Sequence, residues 1–257
     1  MTTMDTLKSL RDMNIVLLIR RSQMQNKPVL ICPDTHAPYH HKGAIQFLKD
    51  TYDAYGCSSI VHVGDFFDFH YSSHHKTELD AFNAECEYEA AIEFAKEFSD
   101  VFPKGTLILG NHDAIVYRQL KEVNIGNYVL KSKNELFGLP KGWTIKDHYH
   151  VIKFEGYESD VLVEHGIGST GMYPINTALA KRCSYVQGHQ HSFAGVNYRT
   201  NHQDTIFGLN VGCLADSGSL SQRYGKYLKW KQVTGCGVVF NPEMALFEKM
   251  KESEYGL

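Results

Sequence analysis

The chain has 257 residues, 43% hydrophobic and 21% charged, the balance of an ordinary globular protein with material for one large core. A formal charge of −3 excludes a protein that grips long nucleic acid by net positive charge alone, and a small or short ligand fits better. The six cysteines form no CxxC pair and several sit in apolar runs, which fits free thiols without disulfides in a reducing, cytoplasmic setting.

No charged-then-apolar leader opens the chain, and its longest apolar run, Ile15 to Ile19, is far short of the roughly 20 residues of a membrane span. Leu7, Leu10, Met13, Val16 and Leu17 instead predict an amphipathic helix over residues 1–25, packed on the rest of a single domain spanning 1–257. After Pro28, VLIC reads as a short strand ending at Pro33-Asp34. The same grammar recurs at SIVHV before Gly64-Asp65 and at TLIL before Gly110-Asn111.

Helices are predicted between these strands over Gly43 to Tyr55, over Leu79 to Phe98 with Phe82, Cys86, Ala91, Phe94 and Phe98 on one stripe, and over Ala114 to Glu122. Such alternation implies a sheet with crossover helices, whose ligands gather outside the carboxyl ends of the strands. The second half is strand-rich. Candidates are Trp143 to Lys146, His150 to Phe154, Val161 to Glu164, Tyr185 to Gln187, Ala194 to Tyr198, Thr205 to Asn210 and Gly237 to Phe240, with a helix over Pro174 to Arg182. The irregular stretches Tyr71 to Leu79 and Gly212 to Lys231 read as exposed segments.

Fourteen histidines are many for this length, and their placement carries the chemistry. Asp34-Thr35-His36, Gly64-Asp65-Phe66-Phe67-Asp68, Gly110-Asn111-His112-Asp113, His165-Gly166 and Gly188-His189-Gln190-His191 each lie at a strand end. Any one of these Asp or His residues suits a turn or a helix cap equally well, and only the ordered set tips the reading towards a site. Carboxylate, amide oxygen and imidazole form a mixed donor set for ions such as Mn, Fe or Zn, and cysteine is absent from every cluster.

The five clusters, spread over roughly Val29 to Val211, resemble the calcineurin-like metallophosphoesterases. The overall look, an N-terminal helix and a GCGV strand after a Lys/Tyr-rich loop, resembles phage-encoded members of that family. The resemblance implies an α/β fold, a four-layer α/β/β/α sandwich of two mixed β-sheets flanked by helices. It also implies two divalent ions, Mn first, with Fe, Zn, Co, Ni or Mg as alternatives. By the family pattern Asp34, His36 and His191 hold one ion, Asn111, His165 and His189 the other, and Asp65 bridges them. Two such ions, about 3.5 to 4 Å apart, activate a shared water and clamp the oxygens of an in-line displacement. The resemblance makes His112 the general acid that protonates the leaving oxygen, with Asp68 orienting it. Asp113 reads as the cap of the next helix, and Gln190 stands where the family commonly has Thr.

For the substrate, Arg223, Tyr224 and Lys226 open a run that interleaves cations with aromatics, suited to holding phosphate while stacking a base, although a solvated loop explains the run almost as well. His70, with His74 and His75 in a His-rich loop, could reach the substrate, but a solvated loop is the readier explanation. His40, His41, His62, His148, His150 and His202 have no motif context. The leading expectation is a phosphomonoesterase acting on nucleoside monophosphates. The alternative is a phosphodiesterase or nuclease on short or single-stranded nucleic acid or cyclic nucleotides. No room is expected after Leu257 for the capping domain of the family's DNA nucleases, and Phe69-His70 after Asp68 departs from the GDxxDRG of the serine/threonine protein phosphatases. A scaffold without activity fits poorly, because the acid histidine and every ligand position are retained.

Overall fold

The computed structural model of the chain describes residues 26–71, 83–169, 173–216 and 230–256. The helix expected over residues 1–25 lies outside them. The described residues form two sheets, one of six strands and one of five. In the first, β1 (Val29–Cys32), β2 (Ser59–His62), β3 (Gly105–Ile108) and β4 (Trp143–Lys146) run parallel, and β10 (Gly235–Asn241) and β11 (Met244–Lys249) add an antiparallel hairpin beside β1. In the second, β6 (Val161–Glu164), β7 (Ser184–Gln187) and β9 (Thr205–Val211) are parallel, with β5 (Tyr149–Ile152) and β8 (Ala194–Thr200) antiparallel at the two edges.

The period-two alternation of β1 separates two cores. Val29 and Ile31 face the second sheet and pack with Val161, Val163, Val186, Phe207 and Leu209. Leu30 and Cys32 face the helices and pack with Phe47, Leu48, Phe94 and Phe98. On the far side of the second sheet, Ile175 and Ala178 of α5 (Pro174–Lys181) cover Tyr185 and Ile206. The expected four layers are therefore present, helices against sheet, sheet against sheet, and sheet against helix.

Helix α1 (Ala44–Tyr55) buries Ala44, Phe47, Leu48 and Thr51, an i, i+3, i+4, i+7 stripe, and stops at Gly56 in the left-handed region at φ 64°. Helix α2 (Ala84–Val101) begins later than the periodicity predicts, because the Asn83 side chain accepts the Cys86 N–H and caps it there. Its buried stripe is Glu87, Ala91, Phe94, Ala95 and Phe98, whereas Cys86 is exposed. The short α4 (Lys133–Leu136) was not foreseen, although Ser132 and Glu135 form a capping box at its start. No helix among the described residues is long and apolar enough to cross a membrane.

Candidate metal centre

The loops after β1, β2, β3, β6 and β7 leave the carboxyl ends of parallel strands, so the side chains they carry converge where the two sheets meet. One group comprises Asp34, His36 and His191, and another comprises Asp65, His165 and His189; within each, the potential ligand atoms lie within 4.8 Å of one another. In the first, His191 Nε2 is 3.0 Å from Asp34 Oδ2 and 3.3 Å from His36 Nε2. In the second, His165 Nε2 is 2.9 Å from Asn111 Oδ1 and 3.2 Å from Asp65 Oδ2. Asp65 Oδ2 also lies 3.8 Å from His36 Nε2, between the two groups. All seven positions expected to hold metal thus meet at one place.

Outer partners aim the imidazoles. His36 donates Nδ1–H to Asp68 Oδ1 at 2.6 Å, and His165 donates Nδ1–H to the Val63 carbonyl at 3.2 Å. In both rings this turns the Nε2 lone pair into the cluster, the tautomer a metal requires. His36, Asp65 and His189 adopt left-handed backbone at φ 50°, 50° and 64°, a strained conformation for non-glycine residues. The glycines of the motifs provide clearance. A Cβ on Gly110 would lie 2.1 Å from Asp65 Oδ1, and one on Gly188 would lie 2.2 Å from Asp34 Oδ1.

The electrostatics favour cations. Burial opposes ionisation of Asp65, yet neighbouring His165 and His112 hold its carboxyl well below the usual range; Asp34 is lowered in the same way by His165 and His191. Asp34 Oδ1 is buried with no hydrogen-bond partner among the described residues, an orphaned oxygen of the kind a cation satisfies. A hard and borderline donor set of carboxylate, amide and imidazole around ionised acids fits divalent ions of the Mn, Fe and Zn type.

His112 stands at the edge of the cluster, its ring 4.7 Å from that of His36. Its Nδ1–H donates to the Asp68 carbonyl at 2.7 Å, with Asp68 Oδ1 at 3.1 Å, which leaves Nε2 for a partner outside; its side chain is 24% exposed. Burial pulls the His112 pKa down, but Asp65 and Asp68 outweigh it and raise it to about 10. His70 is buried, with Nδ1 3.9 Å from Asp68 Oδ2. Arg223, Tyr224, Lys226, His74 and His75 lie outside the described residues.

Asp113 departs from expectation. Residue Ala114, with no side-chain bond, occupies the cap position of α3 (Ile115–Glu122). The Asp113 carboxylate is fully buried and accepts backbone N–H groups from Phe66 at 3.3 Å, Phe67 at 3.0 Å and Gly110 at 2.9 Å, tying the β2 loop to the β3 loop. His62, placed above among the histidines without motif context, has a similar role. Its Nδ1 accepts the Gly64 N–H at 3.2 Å, and its Nε2 is 3.2 Å from Thr35 Oγ1, which donates to the Phe66 carbonyl at 3.0 Å. The sequence signal available for both was adjacency to a motif: Asp113 directly follows Gly110-Asn111-His112, and His62 stands two residues before Gly64.

The profile of the calcineurin-like phosphoesterases matches residues 27–246. Similar solved structures include Vacuolar Protein Sorting 29 from Cryptosporidium parvum, at 13% identity and TM-score 0.44, covering 86% of each chain. Another is YfcE, a phosphoesterase from E. coli, at 13% identity and TM-score 0.40, covering 85% of this chain and 96% of that one. No curated protein matches the chain. The profile match over most of its length shows that the chain belongs to the calcineurin-like phosphoesterase family, which suggests metal-dependent hydrolysis of phosphoesters.

Proposed function

We propose that the chain hydrolyses phosphate esters at a dinuclear metal centre, with Asp34, His36 and His191 holding one ion, Asn111, His165 and His189 the other, and Asp65 between them. The observation that carries this reading is the position of Asp65 Oδ2, 3.2 Å from His165 Nε2 in one group and 3.8 Å from His36 Nε2 in the other. When bound, the ions supply Lewis-acid polarisation of the phosphoryl oxygens and a lowered pKa for attacking water. Asp68 fixes the His112 ring through Nδ1 and, with Asp65, favours its protonated form. Protonated His112 then gives its Nε2 proton to the leaving oxygen, which departs as an alcohol.

The leading substrate is a nucleoside monophosphate. A second reading, a phosphodiesterase or nuclease on short or single-stranded nucleic acid, is favoured by an open groove of about 620 Å³ lined in part by the Ala114, Tyr117 and Arg118 side of α3. The test is to strip the protein of metal, reload it separately with Mn, Fe, Co, Ni, Zn and Mg, and assay nucleoside monophosphates, cyclic nucleotides, bis-p-nitrophenyl phosphate and single-stranded DNA. Hydrolysis that appears with metal and ranks monoesters first supports the leading reading. Diester cleavage alone moves the assignment to the second, and inactivity with every metal and substrate rejects both.

A further inference from the structure

The groove beside the cluster follows α3 and the turn after it, with Arg118, Lys121, Asn124, Ile125 and Asn127 along its wall. Arg118 ties this wall to the loop that carries Asn111 and His112, because its Nη2–H donates to the backbone carbonyl of Asn111 at 3.0 Å. No carboxylate lines it, so its electrostatic character is set by two cations and two amides. Residues 121 to 129 are all exposed, and they include Val123 at 62%, Ile125 at 42%, Tyr128 at 88% and Val129 at 53%. Scattered exposed apolar residues need no explanation, but four in one short segment at the rim of a cationic groove do.

We propose that this groove carries a single-stranded nucleic acid across the metal centre, with Arg118 and Lys121 on the phosphates flanking the scissile one and a base stacked on Tyr128. Cations that track a backbone, next to an aromatic face that tolerates any base, are the two components of sequence-independent single-strand binding. Asn124 and Asn127 add donors and acceptors for sugar and base edges. The acidic net charge does not oppose this, because a short strand meets the local field within about a Debye length. The inference rests on the ester hydrolysis proposed above and deepens its second reading, from diesters in general to a strand that extends beyond the reacting phosphate.

Binding tests it independently of turnover. Fluorescence anisotropy of a fluorescein-labelled thymidine decamer with the full chain, over about 50 to 300 mM salt, should give a log-log slope to which each phosphate contact adds about −0.7. Arg118→Gln and Lys121→Gln should each make that slope shallower by about 0.7. Tyr128→Ala should weaken binding on the order of ten-fold at unchanged slope. Lys121 and Tyr128 are exposed, so their variants test the groove even if Arg118→Gln disturbs Asn111. No decamer binding by the wild type, or wild-type slope and affinity in the Lys121 and Tyr128 variants, overturns the proposal. A parallel assay of the metal-loaded wild type on p-nitrophenyl phosphate and bis-p-nitrophenyl phosphate separates the two claims: inactivity on both with normal decamer binding removes the hydrolase reading and leaves strand binding in the groove standing.

Discussion

Asp68 Oδ1 lies 2.6 Å from His36 Nδ1, so the carboxylate that orients the proposed acid also orients a proposed metal ligand. Sequence reasoning gave Asp68 only the first task. The shared oxygen predicts that Asp68→Asn and His112→Ala differ in metal content. His112→Ala should retain both ions. Asp68→Asn keeps an acceptor for His36 but loses the charge, and it should weaken metal retention by about ten-fold, the low end for such outer partners. Elemental analysis after dialysis against a chelator decides the matter, and equal metal content in the two variants would show that Asp68 does not support His36.

If His112 is the acid, His112→Ala should lose about 10²- to 10⁴-fold in turnover on esters whose leaving group is a sugar hydroxyl. The loss should shrink for p-nitrophenyl esters, because nitrophenolate leaves without a proton. A changed ligand such as His189→Ala should damage both substrate types. An equal loss on both in His112→Ala, together with loss of one ion, would make His112 a ligand.

Asp65→Asn should lower activity more than a change in any terminal ligand. Its Oδ2 faces both groups while its Oδ1 accepts the His112 backbone N–H at 2.8 Å, so in the proposed arrangement one side chain would serve two ions and the loop of the acid. Wild-type turnover with two ions retained in Asp65→Asn would sink the bridging role.

The positions of the candidate cluster are legible because each is a polar residue within four positions of the end of a short strand, and parallel strands deliver such residues to one edge. Asp113 was misread because an acid before a helix satisfies the local rule for a cap, whereas its partners, the N–H groups of Phe66 and Phe67, are more than 40 positions away and come near only in the folded chain. The stripe of α2 was misplaced at its start for the opposite reason. The local cap at Asn83 determines where the helix begins, and the apolar period does not mark it. β11 went unseen because MALFEK mixes three polar or flexible residues with three apolar ones, and it becomes a strand by pairing with β10.

Gly188→Ala probes the close approach at the first group. The added Cβ would lie 2.2 Å from Asp34 Oδ1 and 2.5 Å from Val63 Cγ2, well inside van der Waals contact. Relief requires moving the Asp34 carboxylate or the loop, at about 1 to 3 kcal/mol. The variant should melt earlier and retain less metal, and an unchanged melting temperature with full metal content would show that the loop yields freely.

His62 gives the pH dependence. With Nδ1 accepting from Gly64 and Nε2–H available to Thr35 Oγ1, the neutral ring is fully satisfied, and a second proton would sit on Nδ1 against the Gly64 N–H. Burial, the main cause, depresses its pKa to about 3. The sign follows from linkage. Below about pH 6.5 the unfolded chain binds this proton while the folded chain does not, so stability present above that pH is lost as pH falls towards the folded pKa. At pH 5 the loss from this one group is about 2 kcal/mol. His62→Asn keeps an acceptor near Gly64 and does not titrate, so it should be less stable than the wild type at pH 7.5 but lose less on acidification. Denaturant unfolding of both proteins at pH 7.5 and pH 5 measures the difference. Parallel losses in the two would mean that His62 is not the group whose protonation opposes folding.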